Sequence, residues 1–147
     1  MLFRRFYQFI TTLVALALVG VIALGVYAAN VSKLGGLSGE RVFYLDSPSS
    51  QGLRKEQLSP LDIFRVEGES VRFARTEETE EALVARIRDM YGAQVLFSES
   101  ACGVTSYYCY VGEWDNGIDL GGEVVNLHIA VSETACAVGT PIIFDGF

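Results

Sequence analysis

The sequence predicts an α+β protein with an N-terminal apolar helix, followed by one helix packed on a four-strand antiparallel sheet. Three observations support this fold class. Residues 9–29 form an uncharged apolar run, residues 76–90 have a helical apolar period, and Gln94 to Phe147 contains four short strand-like runs. Short strands with turn signals between them are typical of antiparallel sheets. One helix on such a sheet gives a two-layer α+β domain.

The apolar run from Phe9 to Ala29 is long enough to cross a membrane. As a helix its 21 residues span about 30 Å, the thickness of one hydrocarbon core. Arg4 and Arg5 precede it, and positive flanks stay cytoplasmic, so the rest of the chain is expected outside. Its length favours an uncleaved anchor, because a signal-peptide apolar region is usually about 7–15 residues. The small residues near Ala28 favour cleavage and secretion instead.

These features divide the chain into three parts. Residues 1–29 are the signal anchor or signal peptide, residues 30–39 a flexible tether, and residues 40–147 the extracytoplasmic α+β domain. Three glycines and two serines within residues 31–39 predict the tether. The part after residue 29 has nine basic and eighteen acidic residues, a net charge of −9. That charge argues against nucleic acid and against anionic membrane surfaces as partners.

Residues 40–75 give weaker signals. Arg41–Leu45 is a strand candidate, and Ser59-Pro60 can open a short helical turn, since proline favours the first helical position. Two short apolar runs, 63–66 and 70–73, flank Glu67-Gly68-Glu69, a pattern that indicates a hairpin.

The pattern over residues 76–90 predicts the clearest helix. Thr76 is expected to cap it, and the glutamates that follow suit the positive end of the helix dipole. Gly92 stands where a glycine commonly ends a helix. The apolar stripe is Leu83, Ile87, Met90 and Tyr91. The acidic first turn is therefore interpreted as a helix start and not as a binding site.

The four predicted strands are QVLFSE, VTSYYCYV, EVVNLHIAV and CAVGTPIIF. In the third, Leu127 and Ile129 alternate with more polar positions, which is typical of a half-buried strand. The apolar face is expected against the helix stripe, and His128 on a solvated face. Pro141 predicts an edge position for the last strand, because proline cannot donate to a ladder.

Cys109 and His128 form the most specific candidate for catalysis. They lie on adjacent predicted strands, so a thiol enzyme using this pair is one hypothesis. A reactive thiolate needs a positive setting, however, and no Lys or Arg follows Glu99. The competing interpretation is a buried inert thiol and a surface histidine. The three cysteines and one histidine lack the CxxC pairs of structural zinc sites, so no metal is expected.

The loop Glu113–Asp119 supplies the candidate binding residues Trp114, Asp115 and Asp119. An exposed tryptophan indicates a contact surface; the alternative is that it folds back onto the sheet. The carboxylates do not follow the EF-hand spacing, which argues against calcium. Carboxylate pairs also cleave glycosides, which keeps a small hydrolase open. The tyrosines of the second strand lack the basic neighbours of RNA-binding platforms. No cofactor is expected.

Strand order predicts a disulfide between Cys102 and Cys136. In an up-and-down meander the first and third turns lie at the same end of the sheet, and these cysteines flank those turns. Cys109 lies about 23 Å along its strand from Cys102 if extended, too far for a disulfide. It is therefore expected to remain a free thiol.

Several segments together resemble the YwmB-type proteins of spore-forming Firmicutes: GESVRFA, YGAQVLF, SYYCY, VNLHIAV and GTPIIF. The resemblance covers roughly Gly68 to Phe147. It implies a helix on a curved antiparallel sheet of TATA-binding-protein-like form behind an export signal. It carries no catalytic residues, and it implies a role linked to sporulation or the cell envelope.

The functional expectation is a non-enzymatic binding or assembly module, held by residues 9–29 in the cytoplasmic membrane as a single pass with its C-terminal domain outside. Its partner would be a protein or an envelope component. Cleavage near Ala28 would make it a secreted protein. The alternative is a small envelope hydrolase or thiol enzyme using Cys109 and His128.

Overall fold

The computed structural model describes residues 2–46 and 53–144, and it divides into two compact units, residues 1–32 and 33–147. The first unit is helix α1, Leu2–Asn30. Its apolar window is wholly exposed, and the helix is long and apolar enough to cross a membrane, a property that signal sequences share. The predicted apolar helix is therefore confirmed, and it extends beyond residues 9–29 at both ends.

The second unit is built on a seven-stranded antiparallel sheet with the order β2-β1-β3-β9-β8-β5-β4. A separate hairpin is formed by β6 and β7. The strands are β1 Glu40–Leu45, β2 Leu53–Lys55, β3 Val66–Ala74, β4 Gln94–Ala101, β5 Val104–Tyr110, β6 Ile118–Leu120, β7 Glu123–Val125, β8 Leu127–Val131 and β9 Ala135–Thr140.

The sheet has seven strands and not the four that were predicted. The four predicted runs supply β4, β5, β8 and β9, which are neighbours in the sheet as a meander requires. Three further strands extend it, because β3 pairs with β9 from Glu69–Thr140 to Ala74–Ala135. Pro141 therefore does not mark an edge strand. It follows the last residue of β9, where no ladder hydrogen bond is needed.

The predicted hairpin around Gly68 is wrong, because Val66–Ala74 is one continuous strand. Residues Asp62–Phe64 form a 3-10 turn before it. Gly68 lies inside the strand, where a Cβ would come within 2.8 Å of the Thr140 carbonyl oxygen and 2.6 Å of the Phe144 ring. The glycine thus permits a close approach of the chain and does not make a turn.

Helix α2 spans Glu80–Tyr91, a later start than predicted. Thr79 caps it, with its hydroxyl accepting a hydrogen bond from the Ala82 N–H, so the proposed Thr76 cap is wrong. Gly92 ends the helix in the left-handed region at φ 62°. The side chains of Leu83, Val84 and Ile87 are buried.

The core lies between α2 and one face of the sheet, called here the helix face. Leu127, Ile129 and Val138 contribute to it and are fully buried, which confirms the predicted inner face of β8. The other face of the sheet, called here the open face, differs from the prediction. His128 is only 9% exposed there, because β8 is a central strand buried on both sides.

Part of the segment expected to be a flexible tether packs on the folded domain. Leu34 and Leu37 belong to the core cluster. The Glu69 carboxylate accepts hydrogen bonds from the Lys33 and Leu34 N–H groups. The second compact unit starts at Lys33, within this segment.

Candidate functional site

Cys109 and His128 lie on opposite faces of the sheet. In the β5–β8 ladder Cys109 pairs with Leu127, while His128 pairs with Tyr108. Side chains alternate between faces along a strand, so the Cys109 thiol points into the core and His128 onto the open face. The proposed dyad is wrong for this reason. Burial also raises the pKa of the Cys109 thiol to about 11, which keeps the thiol protonated at neutral pH.

All three cysteines lie in the described part of the chain and are free thiols, so the expected Cys102–Cys136 disulfide is not formed. The two cysteines lie in different settings. Cys136 is fully buried opposite Phe73 and Val131, and burial raises its pKa to about 12. Cys102 is exposed in the β4–β5 turn with φ 53°. The two cysteines flank the predicted turns, but only one points at solvent.

Trp114 folds back onto the domain. Its ring meets Tyr91 edge-on with centroids 5.5 Å apart, and the Lys33 ammonium lies 5.8 Å from its centroid. Asn126 fixes the loop, since its side chain donates to the Val111 carbonyl and accepts from the Val111 N–H. Trp114 is thus part of the packing around the core and does not form an exposed tip.

The two loop aspartates have structural partners. Asp115 accepts a hydrogen bond from Lys33 at 2.6 Å, and this ammonium holds the pKa of Asp115 below its ordinary value. Asp119 accepts from the Gly122 N–H in the β6–β7 turn. Among the described residues, no three His, Cys, Asp or Glu side chains are grouped to hold a metal ion.

The open face carries a feature that the sequence did not reveal, a ladder of three stacked rings. Phe97 stacks on Tyr108 with centroids 4.6 Å apart, and Tyr108 stacks on His128 at the same distance. Register produces this ladder, because the three residues are paired across β4, β5 and β8. Phe97 and Tyr108 remain half-buried, so part of each ring is available to a partner. We call these residues the ring ladder.

The chain after β9 covers the end of the ring ladder. The Ile143 N–H donates to His128 Nδ1 at 3.3 Å, and Phe144 packs on Tyr44 with centroids 5.0 Å apart. Beside this segment the open face has a small depression of about 20 Å³, room for about one water. Its lining residues are Glu40, Val42, Arg54, Ser70, Arg72, Ala137 and Ile143.

His128 is held neutral. Burial lowers its pKa to about 4, although the Glu99 carboxylate acts in the opposite direction. Nδ1 accepts the Ile143 N–H, and Nε2 is buried with no hydrogen-bond partner among the described residues. A neutral, buried histidine that accepts a backbone hydrogen bond and stacks on Tyr108 contributes to the packing of the open face and is not paired with the Cys109 thiol.

Acid is expected to destabilise the domain through His128. The folded pKa of about 4 lies below the unfolded value of about 6.5, so the unfolded chain takes up the proton first. Between pH 6.5 and 4 this group should cost about 2–3 kcal/mol of stability, whereas above pH 7 it costs nothing. Urea unfolding of wild type and His128→Gln at both ends of this range measures it. Equal losses in the two proteins would contradict the assignment.

No protein family, no curated protein and no solved structure matches this chain. The resemblance to YwmB-type proteins therefore stays a prediction.

Proposed function

We propose that this protein is a membrane-tethered, extracytoplasmic binding or assembly module of the cell envelope. The observation that carries the proposal is the ring ladder: a tethering helix is followed by a domain whose open sheet face presents half-buried aromatic rings. Aromatic rings give large contact area at low entropic cost and are enriched in protein interfaces.

The thiols and carboxylates support a non-enzymatic role. Two of the three thiols are buried with raised pKa values, and the pKa of His128 is far below neutrality. The loop carboxylates already have structural partners: Asp115 accepts a hydrogen bond from Lys33, and Asp119 accepts one from the Gly122 N–H. A catalytic pair should instead lie within hydrogen-bond reach of a shared reacting atom.

The partner we propose is a protein or another envelope component that packs on the ring ladder. Tyr108 also offers a polar contact, because its hydroxyl lies 2.5 Å from Glu99. Burial, followed by this hydrogen bond, raises the pKa of Tyr108, so the ring meets a partner in its neutral form. From the YwmB resemblance we extend the proposal to a role in sporulation or envelope assembly.

Capture from an envelope extract by the full chain in detergent tests the binding surface. Replacement of Tyr108 by alanine should abolish capture of any specific partner, because it removes the middle ring of the ladder. Ser98→Ala is the matched control and should capture normally, because Ser98 is an exposed residue of β4 that pairs with Tyr107 on the face opposite the ring ladder. Equal capture by Tyr108→Ala and wild type would remove the ring ladder from the proposal.

Cys102 provides a native probe of topology. It is the exposed thiol, while Cys109 and Cys136 are fully buried, so a maleimide should modify Cys102 alone. We expect a membrane-impermeant maleimide to label the protein in intact cells, and Cys102→Ser to remove the label. Labelling that requires cell lysis would place the domain in the cytoplasm and refute the topology.

A further inference from the structure

The exposed large apolar side chains of the described domain share one end of the sheet. At this end β2, β3, β4 and β8 begin, and β1, β5 and β9 finish. Each of these side chains lies at a strand terminus or in a segment that joins this end. They are Leu53, Leu61, Phe64, Met90, Tyr110, Val124 and Phe144. We call this set the apolar end.

The opposite end of the sheet is polar. It holds the β4–β5 turn with Cys102 and the β8–β9 turn at residues 132–134. Among the described residues there, no large apolar side chain is strongly exposed. The domain is therefore asymmetric along its strands, although single exposed apolar residues would ordinarily be scattered over a surface.

The 3-10 turn presents the two most exposed members of the set in a fixed arrangement. Leu61 is 77% exposed and Phe64 60% exposed. Between them Asp62 is buried, and its carboxylate accepts hydrogen bonds from Lys55 Nζ at 2.7 Å and the Ser59 N–H at 2.8 Å. The turn is thus anchored from below, and Leu61 remains the most exposed large apolar side chain of the described domain.

The chain also enters the domain at the apolar end. Lys33, the first residue of the folded unit, donates its N–H to Glu69, which pairs with Thr140 at the finish of β9. The side chain of Met90 lies beside Gly36 in the same entry segment. Only residues 31 and 32 separate Lys33 from the last residue of α1. Two residues extend by about 7 Å at most.

We propose that the apolar end docks on the lipid surface of the membrane in which α1 is anchored, with Leu61 entering the boundary between headgroups and acyl chains. This inference depends on the proposed tethering. The lysines at this end are paired with carboxylates, Lys33 with Asp115 and Lys55 with Asp62. Their charges are therefore balanced within the domain, so we infer that apolar contact drives the docking. The lipid surface that fits this end is zwitterionic. The ring ladder lies on the open face and not at the docked end of the sheet, so it would remain accessible to a partner.

Site-specific fluorescence in nanodiscs tests the docking. The full chain is reconstituted at one copy per phosphatidylcholine nanodisc, and a polarity-sensitive maleimide dye is attached at one position. In Leu61→Cys/Cys102→Ser and Val124→Cys/Cys102→Ser the dye reports the apolar end. In wild type it reports Cys102 at the opposite end, which is the matched control.

Docking predicts a blue-shifted emission at positions 61 and 124 that nitroxide-labelled lipids quench, with aqueous, unquenched emission at Cys102. Aqueous emission at all three positions would overturn the inference while leaving the tether intact. A blue shift that lipid nitroxides do not quench, and that appears only with two copies per disc, would replace lipid by a second copy and also overturn it. Failure of the chain to enter discs or to float with liposomes would refute the tethering itself.

Discussion

Replacing Leu127 by aspartate is expected to unfold the domain. Leu127 is fully buried on the helix face of β8, a central strand, and it pairs with Cys109 in the core. An aspartate there would bury an unpaired charge among apolar side chains and would also leave a cavity. The cost should exceed about 4–5 kcal/mol, a large part of the roughly 5–15 kcal/mol that stabilises a typical domain.

Fluorescence of Trp114 in detergent measures this unfolding. It is the only tryptophan in the chain and lies in the domain, against Tyr91, so its signal reports the domain and not α1. Val124→Asp is the matched control, because Val124 is half exposed and a surface change of this kind costs within about 0.5 kcal/mol. A folded Leu127→Asp variant with wild-type urea midpoint would show that the inner face of β8 is misassigned.

The same comparison changes what is expected of His128. Period-2 alternation places it correctly on the face opposite Leu127, but alternation does not tell whether that face is solvated. In the structure His128 is stacked on Tyr108 and covered by the Ile143 segment. His128→Asp should therefore be clearly destabilising, although less than Leu127→Asp, whereas a solvated face would have made it mild.

The parts of the fold that depend on local interactions could be predicted. Gly92 ends α2 as expected because only a residue tolerant of positive φ fits there, and this requirement is visible in the sequence. The start of α2 was placed too early because Thr76 and Thr79 are both able to cap. Only tertiary packing selects between two such neighbouring caps.

The sheet was underestimated because its missing half depends on long-range pairing. The paired residues of β3 and β9 are 61 to 71 positions apart, and no turn signal in the sequence indicates such a ladder. The prediction of a hairpin at Gly68 was wrong for a similar reason, since the contacts of this glycine are also long-range. A glycine between two apolar runs usually indicates a hairpin, but here it makes room for Phe144 and the Thr140 carbonyl within one strand.

The Cys109–His128 pair could not be judged from the sequence, because the register of the two strands was not known. Cys109 and His128 do lie on adjacent strands, but a one-residue difference in register decides whether two side chains share a face. The ring ladder depends on the same register and includes a bulge between Val95 and Phe97. Sequence alone does not reveal such a bulge, so Phe97 could not be assigned to the face of Tyr108.

Loss of the Glu69 carboxylate should be the second most severe change. Glu69 is 1% exposed, forms an ion pair with Arg41 and accepts the Lys33 and Leu34 N–H groups. Arg41 in turn donates to the carbonyl groups of Leu34 and Leu37. Glu69→Ala would remove the carboxylate that pairs with the Arg41 guanidinium and would leave the Lys33 and Leu34 N–H groups without this acceptor beside the core, a cost of about 3–5 kcal/mol.

The urea midpoint, again read from Trp114, measures this effect. Glu67→Ala on the same strand is the matched control, because Glu67 is exposed and should change stability little. The double variant Arg41→Met/Glu69→Leu distinguishes the cost of breaking the ion pair from the cost of the lost backbone hydrogen bonds. Replacing both charges by apolar groups should recover part of the lost stability, but not all of it. The Leu34 and Leu37 carbonyls still lose their donor, and the Lys33 and Leu34 N–H groups their acceptor. A double variant less stable than Glu69→Ala would show that the entry segment is held by Arg41 alone.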